Sequence, residues 1–293
     1  MLKHLHEKPT RPSRVVILGA AGFVASTSHK RLETLGVPIL PLTHTELDLT
    51  SPEAGQQLTY HLEPTDSLLF VAAKAPVKNE AMLIENLHMA KAVCEAIREV
   101  PVQHLVYISS DAVYADSEQP LNESSNAQPA SLHGVMHLAR EVMLTNAYLG
   151  PLCFLRPTLI YGPGDPHNGY GPNRFMRQAQ AGEEIKLFGE GEERRDHVSV
   201  MDVAELVSRV LHQQSTGVLN ITSGIVASFR EIAEHVVGLV SNPPKVTGSL
   251  RVGDMPHNGY RAFDPSATKA AFSDFQYTPI FKGLTDYNNQ KKD

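Results

Sequence analysis

Cysteine is nearly absent. Cys94 and Cys153 are the only two in 293 residues, far apart in the chain, and they suggest neither a disulfide framework nor a zinc cluster. No apolar run reaches the roughly 18 residues of a membrane span. The N-terminal MLKHLHEKPTRPS lacks the apolar stretch of a signal peptide. Long basic runs are missing too, and the formal net charge is -6, so nucleic acid is not an expected partner. These absences point to a cytoplasmic chain with no membrane partner. What remains is ordinary globular composition, 42% hydrophobic and 20% charged, with length for one large domain or two smaller ones. An enzyme is the first expectation, a binding protein the second.

Residues 1–13 are polar and proline-bearing and are expected to be a loose tail. Residues 14–18 form a short β-branched run that feeds Gly19-Ala-Ala-Gly22-Phe23-Val24-Ala25 and a helix to about Leu35. In this strand–turn–helix context the G-x-x-G-x-x-A spacing is that of a dinucleotide phosphate loop. Gly19 permits the tight turn, Gly22 lets backbone approach a pyrophosphate, and the helix N-terminus offers free N–H groups. Further strands are expected at 37–42, 67–73, 105–109 and 152–155, with helices at 79–100 and 131–148. The alternation predicts an α/β fold, a doubly wound parallel Rossmann sheet. The sheet domain would cover 14–160. Beyond it, 161–173 reads YGPGDPHNGYGPN, a long loop opening a smaller C-terminal substrate lobe over 161–285. That lobe has strands at 185–188 and 197–200 and helices at 202–214 and 228–240. Val198–Asp202 could return to the sheet domain. Residues 286–293 form a second tail, and the closing NNQKKD is expected to fray.

Placed in order, these segments resemble the extended short-chain dehydrogenase family, the NAD-dependent epimerases and dehydratases of nucleotide sugars. The match runs from about Val15 to Leu284. GAAGFVA at 19–25 resembles the phosphate loop, so Gly19, Gly22, Phe23 and Val24 would meet the cofactor. Asp48 and Leu49 resemble the pair that holds the adenine, and Ala72, Ala73 and Lys74 the strand end along the cofactor. Asn86 resembles the helix asparagine behind the site. In SSDAVY, Ser110 falls on the catalytic Ser or Thr. LRPTLIYGPGD resembles the segment under the nicotinamide, which gives Pro157. For the substrate, the resemblance implies Asn173, with Arg195 and Arg251 gripping a diphosphate. It implies a nucleotide-linked sugar, NAD as cofactor and a homodimer. The end of the second strand carries neither acid nor arginine, so NADP stays open.

The departures carry the chemistry. The family pattern Tyr-x-x-x-Lys is His133-x-x-x-His137 here, one turn apart on one helical face. Tyr107, Tyr114, Tyr148 and Tyr161 all lack a lysine four residues on. Asp111 is followed by Ala112 rather than the glutamate of 4,6-dehydratases, which disfavours dehydration. Asp111 could cap a turn or give a proton to substrate. Leu159 stands where an asparagine is common. Three readings of the histidine pair follow. It is a working site, with His133 as base, His137 on the ribose hydroxyls and Ser110 on the substrate. A free imidazole titrates at about 6.5 and needs no neighbouring cation to act near neutrality. Or it marks a cofactor- and sugar-binding sensor or scaffold without turnover, in which Lys74 or Lys78 restores a charge. Or it is a metal site, for which the zincin glutamate is missing, Gly134 standing in its place, so that no metal is expected. The first reading is preferred, as an epimerase or a 4-keto-sugar reductase.

Overall fold

The computed structural model describes residues 2–289. The chain begins with β1 (Val15–Leu18), α1 (Phe23–Thr34), β2 (Ile39–Leu42), α2 (Ala54–Thr59), β3 (Ser67–Phe70) and α3 (Glu80–Glu99). Next come β4 (His104–Ile108), α4 (Leu132–Ala147), β5 (Leu152–Pro157), β6 (Leu159–Tyr161) and α5 (Pro172–Ala181). Then follow β7 (Ile185–Phe188), β8 (Arg194–Ser199), α6 (Val200–His212), β9 (Gly217–Ile221), β10 (Val226–Ser228) and α7 (Phe229–Val237). The chain closes with β11 (Val246–Ser249), β12 (Tyr260–Arg261), α8 (Ser266–Ala271) and α9 (Ile280–Asn289).

The main sheet is parallel throughout, in the order β2-β1-β3-β4-β5-β9. Its strands are short apolar runs because both faces are covered. Successive side chains of β1 go to opposite layers. Val15 and Ile17 pack with Val24, Leu32 and Val203 of α1 and α6. Val16 and Leu18 pack with Leu58, Val93 and Leu144 of α2, α3 and α4. The fold is thus the doubly wound Rossmann type, with a smaller lobe on the C-terminal side. Phe175, Met176, Ile185, Leu187 and Ile232 are among the residues of that lobe's own core. Residues just past β8 return to the larger layer, since Val200, Val203 and Val207 join the core of β1 and α1.

Several expectations need correction. The N-terminal segment is pinned: Lys3 bridges Thr216, His4 bonds Ser215 at 2.7 Å, and the Thr10 N–H donates to the His212 carbonyl at 2.7 Å. Its polar composition hid backbone pairing, which any side chain permits. Of the NNQKKD end, Asn288 and Asn289 continue α9, and 290–293 lie outside the described residues. The third strand leaves the ladder at Phe70, three residues early. Helix α5 was not foreseen. It starts at Pro172 after Gly171 (φ +134°) and ends before Gly182 (φ +70°), so the loop is 162–171.

Candidate active site

Two hollows meet above the carboxyl ends of β1, β3 and β4, where open α/β sheets bind ligands. The outer one, about 500 Å³, is lined by Gly19, Leu42, Asp48, Leu49, Ala72 and Lys74, among others. The inner one, about 640 Å³, is lined by Phe23, Val24, Ser110, His133, His137 and Pro157, among others. Gly22, Val71 and Ala73 line both, which makes them one trough.

The glycine turn shapes the shared floor. Gly19 has φ +82°, and a Cβ there would lie 2.7 Å from the Ala72 Cα. The turn therefore presses directly on the end of β3, and no side chain fits. Gly22 caps α1 without a side-chain bond, so first-turn N–H groups remain for an anion. At the outer end the Asp48 carboxylate accepts from the Thr50 hydroxyl (2.6 Å) and N–H (2.9 Å). The Thr50 bonds hold it below the usual carboxylate range. Among the described residues, Lys74 is the only lysine or arginine lining this half, and its Nζ is tied to Glu85 at 2.7 Å. Glu46 folds back onto the N–H and hydroxyl of Thr43.

In the inner half, Ser131 caps α4 by accepting the Gly134 N–H at 3.1 Å. A Cβ on Gly134 would stand 2.0 Å from the Ala112 carbonyl oxygen. This glycine lets α4 lie against the turn after β4, and it places His133 and Ser110 in one cavity. The Ser110 Oγ accepts the Ala112 N–H at 3.1 Å. The His133 and His137 rings meet edge to face with centroids 4.7 Å apart. The Nδ1 of His133 is buried and has no protein partner. His137 is 5% exposed, and its Nδ1 lies 2.7 Å from the buried Tyr107 hydroxyl. Burial lowers the pKa of both imidazoles, and the Arg140 charge adds to it; each ring also feels a second histidine, His167 for His133 and His133 for His137. Asp111 opposes the fall at His133.

Other expected residues lie elsewhere. Asp111 does not line the trough. Its carboxylate is 3.3 Å from Arg261 and 3.9 Å from Arg195, and its backbone oxygen accepts from Arg261 at 2.8 Å. It thus holds arginines, and it also accepts from the Ser110 hydroxyl at 3.3 Å. Arg195 also pairs with Glu193 at 3.2 Å. Arg251 reaches the Phe188 carbonyl at 3.1 Å and Glu192 at 3.4 Å. Asn173 is a latch: it accepts the Gly162 N–H at 2.9 Å and donates to the Ile160 carbonyl at 3.3 Å. The cations that do line the inner half are Lys78 and Arg174, for which no acidic partner occurs among the described residues. Tyr170 lines it too, but its hydroxyl accepts the Phe188 N–H at 3.1 Å. Burial also raises its pKa, so it anchors the loop. Among the described residues no group of three or more His, Cys, Asp or Glu could hold a metal ion, and no helix is long and apolar enough to cross a membrane.

A buried polar network under the site escaped the sequence reading. Ser109 donates to Glu141 at 2.6 Å, and Glu141 accepts two hydrogen bonds from Arg156 at 2.9 and 2.5 Å. Arg156 donates to the Tyr114 hydroxyl, which donates to Asn220, both at 2.8 Å. Burial opposes the Arg156 charge, but Glu141 more than offsets it and raises the pKa. The signal was the spacing of Glu141 four residues after His137, opposite the arginine of LRP.

Comparisons with known proteins bear on the fold and the family. The chain is 29% identical over 279 residues to the UDP-glucose 4-epimerase of Mycolicibacterium smegmatis, covering 81% of this chain and 88% of that one. It is 25% identical over 277 residues to the dTDP-4-dehydro-6-deoxy-D-allose reductase of Streptomyces bikiniensis, covering 79% and 82%. The structure of the Thermus thermophilus UDP-glucose 4-epimerase in complex with NAD superposes with a TM-score of 0.84 at 23% identity, over 95% of this chain and 99% of that one. The model of the NAD dependent epimerase/dehydratase family matches residues 15–222. With the glycine turn, the strand-end serine and the trough joining them all inside that span, the chain belongs to the NAD dependent epimerase/dehydratase family.

Proposed function

We propose that the protein is an NAD-dependent nucleotide-sugar epimerase or 4-keto-sugar reductase in which His133 exchanges the substrate hydroxyl proton. The observation that carries this is that the His133 ring lines the cavity it shares with Ser110 and has no hydrogen-bond partner among the described residues. A ring that faces a cavity with neither nitrogen tied to the protein is free to meet a ligand hydroxyl. Bound NAD would supply hydride acceptance and return. The chain's own residues do the rest. Gly19 and Gly22 admit the pyrophosphate, and Asp48 and Leu49 the adenine end. Ser110 hydrogen-bonds the reacting hydroxyl, whose proton goes to His133 as the C–O bond gains carbonyl character. A neutral imidazole is needed for this, and the lowered pKa keeps it neutral.

NAD is favoured over NADP because the 2′-phosphate would need a free cation, and Lys74 is already paired with Glu85. Lys78 and Arg174 face the negative charge of the substrate. Arg195 and Arg251 serve it only by exchanging Glu193 and Glu192 for phosphate. Epimerase or reductase is favoured over dehydratase because Ala112 replaces the acid that would take a C5 proton. The two relatives compared above bear the names of those same two activities. A second copy would meet the apolar face of α3 and α4, where Ile84, Val135 and Val142 are exposed; light scattering showing a monomer would remove the dimer from the proposal.

The test is His133→Ala. Turnover of the correct nucleotide sugar should fall about 10²–10⁴-fold while calorimetric NAD affinity holds. Full turnover in the variant would place the base elsewhere. Tight nucleotide-sugar binding by the wild type without turnover would favour the alternative, a catalytically silent sensor or scaffold.

A further inference from the structure

Arg140 is among the largest fully buried side chains of the molecule, and it sits three residues after His137 on α4. Its guanidinium meets carbonyl oxygens and no carboxylate. It donates to Ala72 O at 2.8 Å, to Asn86 O at 2.7 and 3.0 Å and to the Asn86 Oδ1 at 2.9 Å. The rings of Phe70 and Tyr107 flank it, with centroids 5.0 and 6.0 Å from its Cζ. A buried cation therefore stands where it bears on both histidines, although the expected lysine is gone. Lys74 and Lys78, the sequence candidates for that charge, are both exposed.

We propose that Tyr107 and Arg140 are positioning residues that lock His137 in its Nε2–H form, so that His137 offers the trough a fixed N–H donor while the positive charge sits behind it. What the donor meets rests on the NAD reading above; the lock itself does not. A guanidinium has no lone pair and cannot accept a hydrogen bond. The Tyr107 oxygen faces that positive charge, and its hydrogen is left to point at the His137 Nδ1, 2.7 Å away. An accepting Nδ1 carries no proton, and a neutral imidazole then holds its one proton on Nε2. Three observations keep the parts in these roles. Burial drives the Tyr107 phenol up to about 12, so it stays a donor. Burial, His133 and Arg140 together keep the His137 ring neutral. With Nδ1 taken, Nε2 is the nitrogen left for the cavity that His137 lines. The two tasks of one lysine, charge and donation, are thereby divided between two residues a turn apart.

The experiment is two-bond ¹H–¹⁵N correlation of ¹⁵N-histidine protein without cofactor at pH 7, the His137 signals being those lost in His137→Gln. Wild type should show Nε2 protonated and Nδ1 bare. Tyr107→Phe should give a mixture of the two tautomers and weaken NADH binding about 3–10-fold. Arg140→Lys should keep the wild-type pattern as the conservative rescue, and Arg140→Met should resemble Tyr107→Phe. Should Arg140→Met not fold, Tyr107→Phe decides alone. A proton on Nδ1 in wild type, a charged His137 ring, or an unchanged pattern in Tyr107→Phe overturns the proposal. The expected tautomer pattern with no NADH binding in wild type would uphold the lock and sink the NAD reading instead.

Discussion

At the scale of single residues, the proposed chemistry turns on how His133 is held. Its imidazole is pushed below its ordinary value first by burial, with Arg140 and His167 adding to this and Asp111 opposing. A base whose pKa is lowered is already neutral at pH 7. In the alcohol-oxidising direction, kcat should therefore be flat at neutral pH and fall as pH drops through a value under about 6.5. A profile that still rises between pH 7 and 9 would mean that a phenol is the base. Gly134 is the second critical residue, because α4 and the Ala112 carbonyl approach too closely there for any Cβ. Gly134→Ala should cost about 1–3 kcal/mol of stability by overpacking, with a loss of turnover from the displaced His133. Urea melts and initial rates would check both, and wild-type values in both would show that α4 can shift freely.

At the scale of elements, the floor of the site is braced by α4 against β5 through Glu141 and Arg156. Glu141→Gln keeps size and removes charge, leaving a buried guanidinium short of its partner. The expected loss is about 3–5 kcal/mol, read as a lower urea midpoint with unchanged slope; a change under about 1 kcal/mol would mean that solvent reaches the pair. Elements with strong periodicity were legible in the sequence. β1, α3 and α4 appear within a residue or two of expectation, and Asn79 and Ser131 cap the helices they were expected to open. Helix α5 was hidden because its flanks are glycine- and proline-rich, and such composition reads as loop. The cofactor end was legible because its determinants are contiguous. Gly19 and Gly22 act through backbone, and backbone demands show in sequence as glycine. The inner half was less so. Arg140 falls on the buried stripe of α4 but looks like a surface charge in one dimension. The contact between Asp111 and Arg261 was not legible because the two lie 150 positions apart. The fastening role of Asn173 shows only with the loop it latches.

At the scale of the whole molecule, several histidines are buried as neutral rings. Burial lowers His104 to about 4 and His197 to about 3, and takes His137 well down as well. Unfolded, each would titrate at about 6.5. Below that pH the unfolded chain binds protons that the folded chain refuses, so stability is full above about 6.5 and declines as pH falls toward 4. His104 alone should account for about 3 kcal/mol across that window. His104→Gln should reduce the slope of unfolding free energy against pH between about 6 and 4.5 by about one proton, and an unaltered slope would rule out His104 as a source of acid sensitivity. The contact between Asp111 and Arg261 bears on time as well as on space. During synthesis the strand and turn that carry Ser110 emerge early, but the guanidinium that organises the turn is made 150 residues later. At roughly 5–20 residues per second, about 10–30 s pass before Arg261, the nearer of the two arginines at Asp111, is made, Arg195 having come earlier. A nascent chain arrested before residue 261 should therefore carry a sheet with an unfinished active-site turn, open to proteases at 111–116 and closing only when Arg261 has been released.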